Sequence, residues 1–254
     1  MKTFLAMLAR DAHVARRNFI FTLLQTLLQP MLLVFVFGRV LTASGFMPAH
    51  YKSLLLPGII ALSMILAGVQ SVAMPLISEF QFTREIEDRL LAPMEIEWLA
   101  VSKVISGMMQ ALVAGLVVLP AAWLIMGRGV GLDLTHPITF IAIALLVAAV
   151  AASVGLTLGC SVGQTQIGLM FSLVLAPMIF FGCTYYPWSA LASFPILSRV
   201  VLINPVVYAS EGFRSTLVPQ SPHLPVWAIF LGLSVSAAFF VSLGIRQFRK
   251  KAII

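Results

Sequence analysis

Charged side chains are scarce in this sequence. Only 10% of its 254 residues are Asp, Glu, Lys or Arg, whereas 60% are hydrophobic and the mean hydropathy is +1.03. A soluble globular domain carries about 25% charged residues. So apolar a chain cannot be buried in one aqueous core, which excludes a soluble protein and predicts an integral membrane protein.

Cysteine is nearly absent as well. Cys160 and Cys183 lie in apolar sequence, and no His or Cys spacing around them supports a metal site or a disulfide. We interpret them as two buried free thiols, and we predict no metal ligands and no catalytic residues.

Long uncharged runs mark the candidate membrane spans, because a helix that crosses a bilayer needs about 20 apolar residues. No charged residue occurs between Asp133 and Arg199, and the polar patch CSVGQTQIG at 160–168 divides this run into two spans. The sequence therefore predicts an all-α membrane protein with six spans. Their ranges are about 19–41, 54–77, 104–127, 137–159, 166–182 and 224–245.

The distribution of basic residues orients these spans. Six spans place both termini on one side of the membrane, and cytoplasmic loops carry an excess of Lys and Arg. Eleven of the 16 basic residues lie in the two termini or in the 79–103 segment. We therefore expect both termini and this segment to be cytoplasmic. Apolar and basic positions alternate at helical spacing over residues 1–17, which predicts an amphipathic helix on the inner membrane surface.

The acidic residues are concentrated in one segment, because six of the nine lie within residues 79–98. Phe82, Ile86 and Leu90 share one helical face, opposite charges recur four residues apart, and Pro93 ends the helix. A second short turn, MEIEW, then leads into the third span. Such a helix is either a docking surface for another protein or a solvated helix that rests on the membrane, and the residues leave both readings open.

The order of these features resembles a known family. LLLPGI opens the second span, EFQFTREIEDRLLAPME follows it, and INPVVYASEGFRSTL at 203–217 precedes the last span. Over nearly the whole chain this order is similar to the permease subunit of ABC-2 type transporters, which are ATP-binding-cassette exporters. The resemblance implies that residues 80–92 form a coupling helix in a cleft of a separate ATPase subunit. The docking residues it implies are Glu79, Phe82, Arg84, Glu85, Asp88, Leu90, Leu91 and Pro93.

The chain has no phosphate-binding loop of its own. The motif G-x-x-x-x-G-K-[ST] requires a Gly-Lys pair, and none occurs here. We therefore expect no enzymatic activity and no cofactor in this chain, with ATP and magnesium held by the partner subunit. The resemblance further implies a second permease copy, contact with lipid in the cell (inner) membrane, and export of an amphipathic, lipid-linked or drug-like substrate.

Aromatic residues and prolines are concentrated in residues 183–217. Aromatic rings favour the membrane–water interface, so an interfacial loop is one sufficient interpretation. The resemblance implies instead a pair of short re-entrant helices in the outer leaflet, near the exit of the transport path. Glu211 and Arg214 stand three residues apart, and we expect them to pair with each other or with neighbours. The residues singled out in this segment are Tyr185, Trp188, Asn204, Pro205, Tyr208, Glu211 and Arg214.

Several amides lie within the predicted spans. They could line the substrate path, or they could form hydrogen bonds between helices that contribute about 1–2 kcal/mol or less each. These residues are Gln25, Gln29, Gln70 and Gln110.

Two other classes of membrane protein compete with the permease interpretation. A secondary transporter would carry a buried carboxylate for ion coupling or clear internal repeats, and the span cores show neither clearly. A membrane scaffold or assembly factor is the third class. A neighbouring gene for a nucleotide-binding subunit would distinguish the three.

Overall fold

A computed structural model describes residues 28–46, 48, 51–81, 96–126 and 135–253, together with the single positions 10 and 24. Over these ranges the chain is helical and forms no strand. The helices are α1 Leu28–Ala43, α2 Tyr51–Gln81, α3 Ile96–Met126, α4 Pro137–Ser161, α5 Ile167–Phe180, α6 Pro195–Val200, α7 Pro205–Leu217 and α8 Val226–Ile253.

Four of these helices, α2, α3, α4 and α8, are long and apolar enough to cross a membrane. They correspond to the predicted second, third, fourth and sixth spans. A fifth is counted if Pro195–Ile203, which extends α6 by one short turn, and α7 form one broken span with a bend of 98° between them. The described parts of the predicted first and fifth spans, α1 and α5, are shorter, so the six-span layout stays a prediction. The predicted helix at 1–17, of which only Arg10 is described, stays one too.

The third helix begins earlier than the sequence pattern indicated. Ile96, Glu97 and Trp98 form the first turn of α3, whereas we expected them in a separate short turn before a span at 104. No Pro or Gly follows until Gly107, and Glu97 in the first turn interacts favourably with the helix dipole. The acidic segment is therefore flanked directly by two long helices.

The centre of the bundle is α2. Its apolar window is 78% buried, whereas that of α3 is 29% buried and that of α8 is 17% buried. The outer helices expose large apolar side chains such as Leu124, Leu231 and Phe239. Exposure of such large apolar faces to water is unfavourable, so they are surfaces for lipid or for another chain.

Small side chains allow α4 to lie very close to α2. A Cβ atom at Gly155 would lie 2.8 Å from the carbonyl oxygen of Val69, so a larger residue would push the two backbones apart. Membrane helices commonly associate through such small residues. On its other side α4 is tied to α8, because Thr157 donates a hydrogen bond of 3.0 Å to the carbonyl oxygen of Phe240.

The core helix α2 connects two ends of the bundle. Leu54, in its first turn, contacts the 183–224 region, and Glu79, near its last residue, contacts α3. At 1.5 Å per residue these two positions are about 37 Å apart. We refer to the end near Leu54 as the 183–224 end, and to the end near Glu79 as the 79–103 end.

Candidate functional site

A buried ion pair joins two helices at the 79–103 end. The Nζ atom of Lys103 in α3 lies 2.7 Å from Oε1 of Glu79 in α2, and both side chains are at most 10% exposed. Charges removed from water in this way must be paired. The pair therefore fixes the last turns of α2 against the first turns of α3.

The last turns of α8 pack at the same end. Phe248 is fully buried, with its ring centroid 5.6 Å from that of Phe80 in α2. Lys251 lies over the ring of Phe80 at 4.8 Å, and Arg249 lies 3.9 Å from Glu97 at the start of α3. The C-terminal helix thus contacts both helices that flank the acidic segment.

The structure describes only part of the predicted docking residues. Glu79 is described and buried, as reported above, and its role as a docking contact stays a prediction. The others lie outside the described residues and stay predictions: Phe82, Arg84, Glu85, Asp88, Leu90, Leu91 and Pro93.

A second buried ion pair lies at the opposite end of the bundle. Nη1 of Arg214 is 2.5 Å from Oε1 of Glu211, and neither side chain is exposed at all. Both residues belong to α7, three positions apart, so the pair that we expected from their spacing is confirmed. The short helix places both groups on one side, where they face the first turn of α2 and the turn at 183.

The remaining polar atoms of this pair are satisfied by backbone groups of four residues from three parts of the chain. Arg214 donates hydrogen bonds to the carbonyl oxygens of Leu54 and Cys183, at 3.1–3.4 Å. Glu211 accepts hydrogen bonds from the backbone N–H groups of Trp188 and Leu224, at 2.9 and 3.1 Å. The pair therefore connects α7 to the start of α2, to the turn at 183–188 and to the segment before α8.

The bend before α7 is formed by Asn204 and Pro205. The side chain of Asn204 caps α7 by accepting a hydrogen bond from the N–H of Val206, and its Nδ2 donates to the carbonyl oxygen of Met178 at 2.6 Å. Proline at the first helical position is favoured, because its N–H group would be unpaired there anyway. Tyr208 donates from its hydroxyl to the carbonyl oxygen of Leu202 across the bend. The segment is thus broken into short helices, while its re-entrant placement in a membrane stays a prediction.

The turn at 181–187 is pressed against α2. A Cβ atom at Gly58 would lie 1.8 Å from the carbonyl oxygen of Thr184, so only glycine fits at this contact. Tyr51, in the first turn of α2, donates a hydrogen bond of 2.7 Å to the carbonyl oxygen of Tyr185. Burial of the phenol raises the pKa of Tyr185 above its ordinary value. Trp188 is fixed as well, because its Nε1 donates to the carbonyl oxygen of Ser198.

A groove runs between α1 and α5. It contains an open cavity of about 520 Å³ between α1 and the residues Phe180 and Tyr185, and a second cavity of about 330 Å³ beside α5. Gln29 lines both cavities, and the other lining side chains are mostly apolar. Gln70 and Gln110 are half-buried and line neither cavity, and Gln25 lies outside the described residues. Cavities lined mostly by apolar side chains, with a few polar groups, are suited to an amphipathic molecule.

Sequence reasoning missed several residues of these two ends. Lys103 had only been counted as a basic residue, although a lone cation beside an apolar span already indicates a buried partner. Gly58 and Tyr51 gave no signal, because nothing in their neighbourhood indicates that a turn more than 120 residues later packs on them. Gly155 and Gly159 do form a small-x-x-x-small pattern in the sequence, which would have predicted a close helix contact on this face of α4 but not that α2 is the neighbour.

Comparison with known proteins agrees with this architecture. The profile of the ABC-2 type transporter family matches residues 2–218, which is most of the chain. The inner membrane transport permease YadH of Escherichia coli K12 is 27% identical over 211 residues, covering 81% of this chain and 79% of that protein. The proteins of the same name in Escherichia coli O157:H7 and Shigella flexneri match to the same extent. With its long apolar helices and a family match over most of its length, the chain belongs to the ABC-2 type transporter family.

Proposed function

We propose that this chain is the permease subunit of an ATP-driven exporter in the inner membrane. A separate ATP-binding-cassette ATPase would bind to the acidic segment at 79–98 on the cytoplasmic side. ATP binding and hydrolysis in that partner would then drive an amphipathic, lipid-linked or drug-like substrate outward. The chain itself would perform no covalent chemistry and would work as one of two permease copies.

The observation that carries this proposal is the family match over residues 2–218, a range that includes the acidic segment and both helices that flank it. The geometry supports it in a second way. Residues 82–95 connect the core helix α2 to α3, so a force on this segment reaches the centre of the bundle directly. Charged residues on such a surface give orientation and specificity to the association with a soluble partner.

The groove between α1 and α5 supports the transport side of the proposal. Its cavities are lined mostly by apolar side chains and by Gln29, which suits a substrate with an apolar body and a polar group. The groove is open to the outside of this single chain, and α1 and α5 expose large apolar side chains such as Leu32 and Leu173 beside it. A second permease copy facing this side would cover these residues and enclose the path.

A secondary transporter would need an acidic group inside the bundle, and Glu211 is the fully buried candidate among the described residues. Its carboxylate is already paired with Arg214 and accepts two further hydrogen bonds from backbone N–H groups. A carboxylate that binds and releases a coupling ion must instead be reachable from a water-filled path. The arrangement therefore favours a structural role for Glu211 and an external energy source for transport.

The test is co-purification with the partner. The chain would be co-expressed with the genes that neighbour its own and purified in detergent, and the product would be assayed for vanadate-sensitive ATP hydrolysis. We expect the ATPase to co-purify in a fixed ratio and to be lost when residues 82–92 are scrambled. Recovery of the pure chain without ATPase, from cells that contain both proteins, would contradict the proposal.

A further inference from the structure

The Glu79–Lys103 ion pair lies at the base of the segment that is proposed to bind the ATPase. Lys103 follows Glu79 by 24 positions, and the pair closes this stretch of chain with a contact of 2.7 Å. One partner belongs to the end of α2 and the other to the start of α3. Every residue of the predicted coupling helix lies between them in sequence.

Packing next to the pair fixes the register of the two helices. A Cβ atom at Gly107 of α3, one turn beyond Lys103, would lie 2.3 Å from Cγ2 of Val72 in α2. The helices are therefore in close contact on the same faces that carry the ion pair. A sliding or parting movement of α2 against α3 would have to break the ion pair first.

Hydrophobic stability alone does not account for charges at this place. A buried ion pair costs desolvation free energy, and well-packed apolar residues of similar size often replace such a pair without loss of stability. Apolar contacts nevertheless tolerate many relative positions of two helices. The hydrogen-bonded attraction between an ammonium and a carboxylate is strong only at a short distance, which restricts the two helices to one register. What the pair adds beyond an apolar contact is a fixed geometry.

We infer that Glu79 and Lys103 are positioning residues that hold the ATPase-binding segment on a rigid base and make α2 and α3 move together. The inference rests on the proposed function. It gives Glu79 a role different from that of a surface contact, because the residue is buried and directed at α3 rather than at a partner. Movement of the ATPase would then reach α2, and through α2 the Arg214 cluster at the far end.

The experiment compares three forms of the full chain, alone and with the co-expressed ATPase. One is the wild type, one is the apolar variant Glu79→Leu with Lys103→Met, and one is the exchanged variant Glu79→Lys with Lys103→Glu. The measurements are the melting temperature in detergent, hydrogen exchange of the flanking residues 76–81 and 96–101, and the affinity for the ATPase. The apolar variant separates stabilisation of the fold from control of the geometry between α2 and α3. It keeps the packing contact but removes the directional attraction between the two charges.

We expect the apolar variant to melt like the wild type, to exchange about tenfold faster at both flanks, and to bind the ATPase about tenfold more weakly. The exchanged variant should restore the wild-type exchange rate and ATPase affinity, because it forms the same ion pair with the two charges swapped between the helices. Lysine near the C-terminus of α2 is also favoured by the helix dipole. Tyr51→Phe is the control, since it removes a hydrogen bond to the carbonyl oxygen of Tyr185 at the 183–224 end, remote from the segment.

The outcomes distinguish this inference from the proposed function. Wild-type exchange rates and wild-type ATPase affinity in the apolar variant would overturn the inference. Weaker ATPase binding by Tyr51→Phe, in proportion to its loss of melting temperature, would overturn it too, because the effect would then follow from general stability. If no ATPase binds even the wild type, the proposed function fails, and the exchange rates of the chain alone still decide whether the ion pair holds the two helices together.

Discussion

Arg214 and Leu54 are 160 positions apart in sequence, yet Nε and Nη2 of Arg214 both donate to the carbonyl oxygen of Leu54, at 3.4 and 3.3 Å. This contact ties the short helix α7 to the first turn of the core helix. Because Glu211 holds the same guanidinium from the other side, the geometry of the whole 183–224 end depends on one fully buried cation.

The first prediction is that Arg214→Met strongly destabilises the chain. Glu211 would remain buried without its charge partner, which costs about 3–5 kcal/mol. The double variant Arg214→Met with Glu211→Gln should be less destabilised than the single variant, since it no longer buries an unpaired charge. The measurement is thermal unfolding of the detergent-purified chain.

Arg249→Gln is the control for this prediction. Arg249 belongs to an exposed pair at 3.9 Å with Glu97, and such pairs contribute about 1 kcal/mol or less. An Arg214→Met variant that melts at the wild-type temperature, or no earlier than Arg249→Gln, would show that the buried pair does not stabilise the 183–224 end.

The second prediction concerns the contact between α2 and the turn at 184. Gly58→Ala would place a methyl group 1.8 Å from the carbonyl oxygen of Thr184, which is backbone and cannot move aside alone. We expect a loss of about 3 kcal/mol or a large loss of folded yield, in line with the largest effects of overpacking. Size-exclusion chromatography in detergent measures the folded yield.

Gly168→Ala is the matched change, because a Cβ atom at Gly168 of α5 meets nothing within 4 Å. Alanine also favours a helix over glycine by about 1 kcal/mol. We expect this variant to fold at least as well as the wild type. Equal yields of the two alanine variants would argue against the tight α2–184 contact.

The third prediction is the orientation in the membrane. His136, before α4, is exposed, and α4 then runs over 25 residues to the end where Lys251 contacts Gly159. The basic residues predict that the end near Lys251 is cytoplasmic, so His136 should lie on the outer side. We expect a membrane-impermeant thiol reagent to label His136→Cys in intact cells. It should label Lys250→Cys and Thr83→Cys only after the membrane is opened.

The native cysteines make this labelling practical, because Cys160 and Cys183 are both buried and free. The unsubstituted chain measures their background. Labelling of Lys250→Cys, but not of His136→Cys, in intact cells would reverse the orientation that the basic residues predict.

The fourth prediction tests the acidic segment, which was identified from the sequence alone. Glu85→Lys with Asp88→Lys should leave the permease in the membrane but release the ATPase, because the charge that orients the partner is reversed. Co-purification of the ATPase, compared with membrane content of the permease, is the measurement. A double reversal at the other end of the bundle, Lys52→Glu with Arg199→Glu, is the control and should retain the ATPase. Undiminished co-purification with the first variant would remove these two acids from the docking surface.

The helices themselves were largely predictable. The apolar runs at 54–77, 104–127, 137–159 and 224–245 all correspond to long helices, since hydropathy over about 20 residues is a local property. The helix ends were less predictable. The α3 helix begins eight residues before the predicted span at 104–127, because Ile96–Lys103 contains no helix breaker and packs on α2 and α8. A hydropathy window does not register such packing.

Of the candidate site, the sequence determined the composition: an uncharged bundle, one acidic segment, and a Glu and an Arg three residues apart before the last span. Only the tertiary structure decided which groups meet. The pairing of Glu79 with Lys103 and that of Arg214 with Leu54 depend on how whole helices pack, because the groups are 24 and 160 positions apart. A burial pattern indicates that a side chain faces the interior, but close packing through residues such as Gly155 and Gly58 sets the register that brings two particular charges or carbonyls together.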